Sequence, residues 1–552
     1  MNDKKNDVNH NSRYLLGFLF LTVFIVFQST YSKIPVSDAP TWIRALSNLD
    51  WYYIFIPTHS LPLFGVLTVK TALAIFKILL DALTLIQVIN SFLSCVISFL
   101  LYRLTRVLKI SFFAAFTSTT IFSFSYGLWY FSNGELHHLG ILFVLVIFLR
   151  LVAYRAKPTS RIAFQIGILH GAAILLHQEH GLYAITIIFM MTFNLRSNEF
   201  VRKNVLIYLG SAALISIPTV IGLSAFVNHS LSITDTFKWF FYIHQKGFSE
   251  EGYVLLRWHD WSFLRCIKGS AMAICYGSQI VVDFLRYAEI RHIGYVRTFF
   301  AFSIFFFIVF MGTCLLGINR FKHSGLEIRS IIFGLILWVV SYKFLFNLTY
   351  MPESPEYHIS SNIPLFIFFA IALQSLNSTP LRIGLFISLF IAMITVNLFG
   401  SIMPWKQHGY IASRFGTFAS TTFRDTDFFI STESCLDAIV DTKWRRLSLK
   451  NLLLTHSAAD VLKKVGRKID EELEAGHSVY IYNFIPSDYA LRSVNFYHRG
   501  ALVSKDIFRR EWSRMRSIYE MEPIYQYWEE TDSRHYLFDP ERDTVWKIKP
   551  SK

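Results

Sequence analysis

Glu135, His137 and His138 stand together in NGELHH (133–138), and His177, Glu179 and His180 stand together in HQEH (177–180). Each motif borders an apolar stretch. Carboxylates beside imidazoles can move protons, bind phosphate or hold a divalent cation. A cation would use Glu135, His138, His177 and His180, although HQEH is not the His-Glu-x-x-His pattern of zinc hydrolases. The plainer alternative is a buried pair that fixes helix ends. Asp38, in SDAPTW, either accepts a proton from an attacking hydroxyl or amine, or caps a short helix. His59, in IPTHSLP, either serves a phosphate or a proton, or marks a helix entry at the headgroup boundary. In YMPESPEYH two prolines break the helix around Glu353, Glu356 and His358. Broken backbone at membrane depth is tolerated mainly where it lines a cavity or is buried in protein. The segment therefore reads as a site wall, or else as an ordinary loop between spans. Arg257 belongs to an aromatic and basic segment (234–265) that suits both an interfacial belt and a lid over an anionic headgroup.

The elements that must position these residues are set by a lipid medium. The chain has 552 residues, of which 53% are hydrophobic and 16% charged. A soluble domain carries about 25% charged residues. Many windows reach the roughly 20 apolar residues that a spanning helix needs, and none alternates like a strand of a transmembrane barrel. The chain is therefore an integral membrane protein. In lipid an ionisable side chain costs several kcal/mol and is usually partnered and functional. The net charge of +15 suits cytoplasmic loops and headgroups. It does not imply nucleic acid, since no basic run is interleaved with stacking aromatics. Cys95, Cys266, Cys275, Cys314 and Cys435 are scattered, so neither a disulfide framework nor a thiolate metal site is expected. The stretch from Tyr14 to Phe27 lacks a small-residue cleavage site and reads as a retained first span.

Charge at the span ends sets the threading, with residue 1 in the cytoplasm. Spans are expected at 14–30, 83–102, 110–127, 138–154, 162–176, 181–195, 204–226, 298–317, 330–348, 363–376 and 381–402. Residues 61–81 carry Lys70 and Lys77 on one face and read as a helix lying in the interface. The ambiguous stretch is 266–285. Lying flat, it keeps the basic loop 319–329 inside and puts PESPEYH outside with the other clusters, and this is the threading adopted. Domain boundaries follow: a membrane domain over 1–403, with exterior loops 31–82 and 228–297, and an exterior domain over 404–552. Within the latter, DFFIST (427–432) and SVYIYN (478–483) read as strands. Val461, Leu462, Val465, Ile469 and Leu473 recur at helical spacing before Gly476. A small α/β domain is expected.

This pattern resembles the GT-C superfamily of membrane glycosyltransferases, over nearly the whole chain. The resemblance rests on an acidic residue (Asp38) in the first exterior loop, membrane-parallel helices after it, and roughly eleven to thirteen spans followed by a soluble exterior C-terminal domain. It rests also on YGLWYFSNGELHH, AILLHQEHGLY and YMPESPEYHISSNIP, which are similar to motifs of bacterial members. The family's first loop often carries an Asp-Glu pair, whereas here Ala39 follows Asp38. The resemblance implies a mainly α, polytopic bundle that takes a sugar from a polyprenyl-phosphate donor and passes it to an envelope acceptor: a glycolipid, a polysaccharide or a protein. It implies Asp38 as base, and His59, Arg257, His138 and His177 as partners of the donor phosphate. Glu135, His137, Glu179, His180, Glu353, Glu356 and His358 would complete the pocket. The setting it implies is a bacterial inner membrane with the C-terminal domain in the periplasm. The competing class is a non-catalytic transporter or envelope-assembly scaffold. A transporter would carry ionisable groups near the midplane and often repeated halves, and neither is visible.

Overall fold

The computed structural model describes residues 3–32, 51–55, 60–75, 80–193, 199–240, 263–286, 294–321, 326–343, 355–376, 378–407, 426–431, 445–453, 457–482, 505–526 and 544–549, with a few isolated positions beside them. Asp38, His59, Arg257 and Glu353 lie outside the described residues. The chain divides into two compact units, one built mainly of the helices up to Pro404 and the other mainly of the chain from Trp405.

The first unit is helical throughout its described length. Besides a single turn at Trp51–Ile54, its helices include α1 (Asp3–Thr30), α2 (Ser60–Ile75), α3 (Ala82–Val107), α4 (Phe112–Ser123), α5 (Tyr126–Phe131), α6 (His137–Ala156), α7 (Ser160–Leu176) and α8 (Tyr183–Thr192). They continue with α9 (Glu199–Asn228), α10 (Ile233–Phe240), α11 (Phe263–Ile274), α12 (Gly277–Arg286), α13 (Gly294–Phe321), α14 (Leu326–Tyr342), α15 (Ile359–Ser375) and α16 (Thr379–Asn397). Among the described residues, six helices are long and apolar enough to cross a membrane, and five shorter apolar helices accompany them. This is a polytopic membrane bundle. Large apolar side chains stay exposed on its outer faces, among them Phe18, Leu206, Leu214, Ile308 and Leu315, as lipid contact allows. The interior is aromatic. Trp129 stacks on Phe27 at 5.8 Å, Phe148 on Trp338 at 4.2 Å and Phe310 on Phe369 at 5.2 Å.

One expected span and the ambiguous stretch differ in detail from a single rod. The stretch expected at 110–127 is α4 alone, because the chain breaks at Phe124 and restarts as the short α5. The ambiguous 266–285 is not one rod but α11 and α12, separated at Cys275 and Tyr276. Each is amphipathic: Cys266, Gly269 and Ala273 of α11 are buried, while Phe263, Leu264 and Ile267 are exposed. Two short two-faced helices suit an interface better than a crossing.

The second unit contains a five-stranded sheet of β1 (Phe428–Ser431), β2 (Arg445–Ser448), β3 (Val479–Tyr482), β4 (Glu520–Gln526) and β5 (Thr544–Lys549), in the order β2-β1-β3-β5-β4. β1 runs parallel to β2 and β3, and β5 runs antiparallel to β3 and β4. The crossover from β1 to β3 contains α17 (Ala458–Glu474), and α18 (Lys505–Ile518) precedes β4. Ser457 caps α17 by accepting the Asp460 N–H. At its other end Gly476 (φ +78°) and His477 donate back to Leu473 and Glu472, the closure that favours glycine. Val461, Val465 and Ile469 of α17 meet Phe508, Trp512 and Met515 of α18 over Ile430, Val479 and Ile481. β2, α18, β4 and β5 extend the strand–helix–strand read from sequence. Their short or charged segments carry a weak periodic signal.

Candidate active site

The site is prepared by α3. Gln87, Asn90, Ser91, Ser94 and Ser98 interrupt this apolar helix at three- and four-residue steps, which places them on one face, and all are buried. That face grips the turn between α5 and α6. The Asn90 amide donates to the carbonyls of Glu135 (2.5 Å) and Ser132 (3.2 Å), and the Gln87 amide donates to Asn133 Oδ1 (2.6 Å). Gly134 turns the chain at φ +138°, a conformation costly for any other residue. The NGELHH motif is thereby fixed at the start of α6.

HQEH forms the 3₁₀ turn between α7 and α8. A histidine absent from the sequence-level candidates holds it. Tyr208 on α9 hydrogen-bonds His170 Nδ1 at 2.8 Å, and His170 Nε2 meets the His180 carbonyl at 2.9 Å. The ring of His180 lies so close to α6 that a Cβ on Gly140 would run into its Nε2. The third motif contributes Pro355–His358, a single 3₁₀ turn leading into α15, with all four residues buried.

These three turns meet. The ring centres of His137 and His177 are 5.6 Å apart, and Tyr357 lies 5.3 Å from the first and 5.9 Å from the second. His180 is 6.1 Å from His177. Each of the two central imidazoles has its own carboxylate: Glu135 lies 3.8 Å from His137, and Glu179 lies 3.5 Å from His177 Nδ1. Tyr342, from the end of α14, and Glu356 flank Glu179. Burial pushes the Glu179 carboxyl up to about 8, and the neighbouring Glu356 adds to the rise. Glu135, His137, His138, His177, Glu179, His180, Glu356 and His358 are all buried, so the cluster is enclosed by protein rather than open to water. Carboxylates and imidazoles so enclosed interact strongly and can pass protons over short distances.

His138 stands apart in orientation. Its Nε2 contacts the Leu128 carbonyl at 3.1 Å, which ties the ring to α5 rather than to the imidazole group. Among the described residues no three His, Cys, Asp or Glu side chains are arranged to hold a metal. Glu135, His138, His177 and His180 accordingly do not converge as a cation set.

Sequence reasoning also missed Lys343, Tyr183 and Asn362. Lys343 reaches His358 Nδ1 at 2.6 Å, and Tyr183 donates to Ser360 at 2.9 Å. Lys343 was legible as the lone cation in an otherwise apolar run. The α3 stripe was legible as repeated polar residues at helical spacing.

The arrangement of helices defines a GT-C-like membrane fold. The similarity extends over ArnT from Cupriavidus metallidurans in its apo state, at 10% identity and a TM-score of 0.53, covering 98% of each chain. It extends also to the apo oligosaccharyltransferase of Archaeoglobus fulgidus, at 11% identity and a TM-score of 0.50, covering 90% of this chain and 72% of that one. No known family and no curated protein matches the chain by sequence.

Proposed function

We propose that this protein is a glycosyltransferase that takes a sugar from a polyprenyl-phosphate donor and passes it to an envelope acceptor at the non-cytoplasmic face. The observation that carries this reading is the meeting of NGELHH, HQEH and PEYH in one buried cluster within a GT-C-like fold. In this reading Asp38 orients and deprotonates the acceptor. The acceptor oxygen or nitrogen attacks the anomeric carbon, the bond to the lipid phosphate breaks, and the phosphate leaves with inversion at carbon. His59 and Arg257 stabilise the charge developing on that phosphate, with His138 and His177 behind them. Glu135, His137, Glu179, His180, Glu353, Glu356 and His358 shape the polar wall, and the 404–552 domain faces the acceptor on the periplasmic side of a bacterial inner membrane.

Asp38→Asn tests the reading. The variant retains donor binding and loses turnover by about 10²- to 10⁴-fold, the range for removal of a general base. Mass spectrometry of surface glycolipids from a deletion strain identifies the product that disappears. If Asp38→Asn leaves every surface glycan unchanged while deletion alters envelope assembly, the protein is a scaffold instead.

A further inference from the structure

The histidines around the cluster have protein partners. His137 faces Glu135 at 3.8 Å, and His177 faces Glu179 at 3.5 Å. His138 contacts the Leu128 carbonyl at 3.1 Å, and His170 bridges Tyr208 and the His180 carbonyl. His180 differs. Its ring is held by contact alone: it stacks on Tyr183 at 5.5 Å with the planes 18° apart, and stands edge-on to His177 at 6.1 Å. The tip of the ring, Nε2, is turned to Gly140 on α6. The residue is only 4% exposed, and Nδ1 has no hydrogen-bond partner among the described residues. On the same 3₁₀ turn Glu179 Oε2 is buried and makes no hydrogen bond with the described residues either, although it lies 3.5 Å from His177 Nδ1. Two unfilled polar groups thus border the ring of His177.

A buried polar atom without a partner is costly, and two on one short turn call for a ligand group that fills them. The chemistry of that group follows from the atoms. A neutral imidazole carries one N–H and one lone pair. Nδ1 of His180 therefore offers a donor in one tautomer and an acceptor in the other. A hydroxyl both donates and accepts, so it meets Nδ1 in either tautomer and Glu179 in either protonation state. The oxygens of an ionised phosphate only accept, and they bring charge. The surroundings resist charge: burial is the larger cause that pushes the Glu179 carboxyl up to about 8, and Glu356 adds to it. Burial that disfavours a carboxylate disfavours a phosphate or an ammonium too. The rings of Tyr183 beside His180 and of Tyr357 beside His177 add apolar surface. Aromatic walls with a few placed polar atoms match a neutral ligand that has both C–H and O–H groups.

We infer that His180, with Glu179 beside it, is a ligand-contacting pair that receives a neutral hydroxyl-bearing group, the sugar ring of a donor or of an acceptor, rather than the donor phosphate. Naming that group as a sugar rests on the glycosyltransferase reading; the unfilled atoms belong to the folded chain whatever it binds. His177 and Tyr357 then stand between this subsite and the rest of the cluster, and His180 acts in recognition of the sugar rather than in charge stabilisation.

The experiment uses the full chain in lipid nanodiscs with ¹⁵N-labelled histidine. His180→Phe keeps a ring against Tyr183, removes both nitrogens, and assigns the His180 signals among the 18 histidines by difference. Three probes are compared: bare undecaprenyl phosphate, undecaprenyl phosphates carrying glucose, mannose or xylose, and a neutral glycolipid, monoglucosyl diacylglycerol. A sugar-bearing probe is expected to move the His180 signals, and bare undecaprenyl phosphate to leave them in place. A shift with the phosphate-linked sugars assigns the subsite to the donor, and a shift with the neutral glycolipid assigns it to the acceptor. His180→Phe is expected to weaken the sugar-bearing probe about tenfold, the scale for loss of one hydrogen bond, with affinity for the bare phosphate unchanged. Glu179→Met is expected to act in the same direction and decides the matter if His180→Phe fails to fold. Equal shifts with bare and sugar-bearing lipids overturn the inference, as do His180 signals that no probe moves and sugar affinities that neither variant lowers. If the neutral glycolipid shifts His180 while the wild type turns over none of the phosphate-linked sugars, the glycosyltransferase reading falls and the subsite stands. If turnover is found and no probe reaches His180, the subsite falls and the enzyme stands.

Discussion

Glu179 shows what enclosure does to a single side chain. Its carboxyl is pushed up to about 8 by burial, and more weakly by Glu356. A carboxyl in the unfolded chain titrates near 4.3. Between those values the folded protein binds a proton that the unfolded chain has released, so the contribution of this one carboxyl to stability falls as pH rises through the window toward about 8. Glu179→Gln is therefore expected to flatten the pH dependence of the thermal midpoint between pH 5 and 8, with the largest gain at the alkaline end. Equal pH dependence in the two proteins contradicts the assignment. The individual candidates divide by how they were reached. Glu135, His137, His177, Glu179, His180, Glu356 and His358 were visible as rare ionisable residues beside apolar runs, since lipid tolerates few of them. His170 was not, because a histidine inside a span signals nothing until its partners, Tyr208 and the His180 carbonyl, are known.

At the scale of elements, the crossing of α7 and α9 supports the HQEH turn. Gly167 and Gly171, four residues apart on α7, lie against the backbone of Tyr208 and Ala212. Small residues at this spacing let two membrane helices approach to backbone contact. The same approach puts Tyr208 within reach of His170. Gly171→Leu would fill the contact with a side chain and force the helices apart, costing about 1–3 kcal/mol. The functional expectation is larger than the loss of stability, because the His170 bridge to the HQEH turn breaks with it. Comparing unfolding midpoint with turnover tests this. A variant with lowered midpoint and unimpaired turnover would show that the bridge does not matter. The positions of α6, α7 and α15 follow from apolar length, basic ends and capping residues. The break of 266–285 into α11 and α12 does not, since a run of that length is equally compatible with one rod until its neighbours α5, α15 and α16 are known.

At the scale of the whole molecule, two units with separate interiors make separate predictions. The second unit has its own core around Ile430, Val465, Val479 and Trp512. Residues 405–552 expressed alone are expected to unfold cooperatively, and Trp512→Ala to cost about 3–5 kcal/mol. Non-cooperative melting of the isolated segment would mean that it needs the membrane unit to fold. The threading is tested with reporters inserted at 324 and 355, expected in the cytoplasm and outside it respectively. A cytoplasmic signal at 355 would place the cluster on the wrong face for a donor presented outside.

Hydropathy, charge at span ends and helix periodicity act within about twenty residues, so they were enough to reveal a membrane bundle, its rare ionisable residues and the strand–helix–strand of the second unit. Folding in three dimensions settled the rest. That His137 and His177 share Tyr357, that α3 pins the NGELHH turn through Asn90, and that Lys343 meets His358 are contacts between residues distant along the chain. Such contacts arise from the packing of helix faces against one another, and one-dimensional periodicity carries no record of which faces will meet.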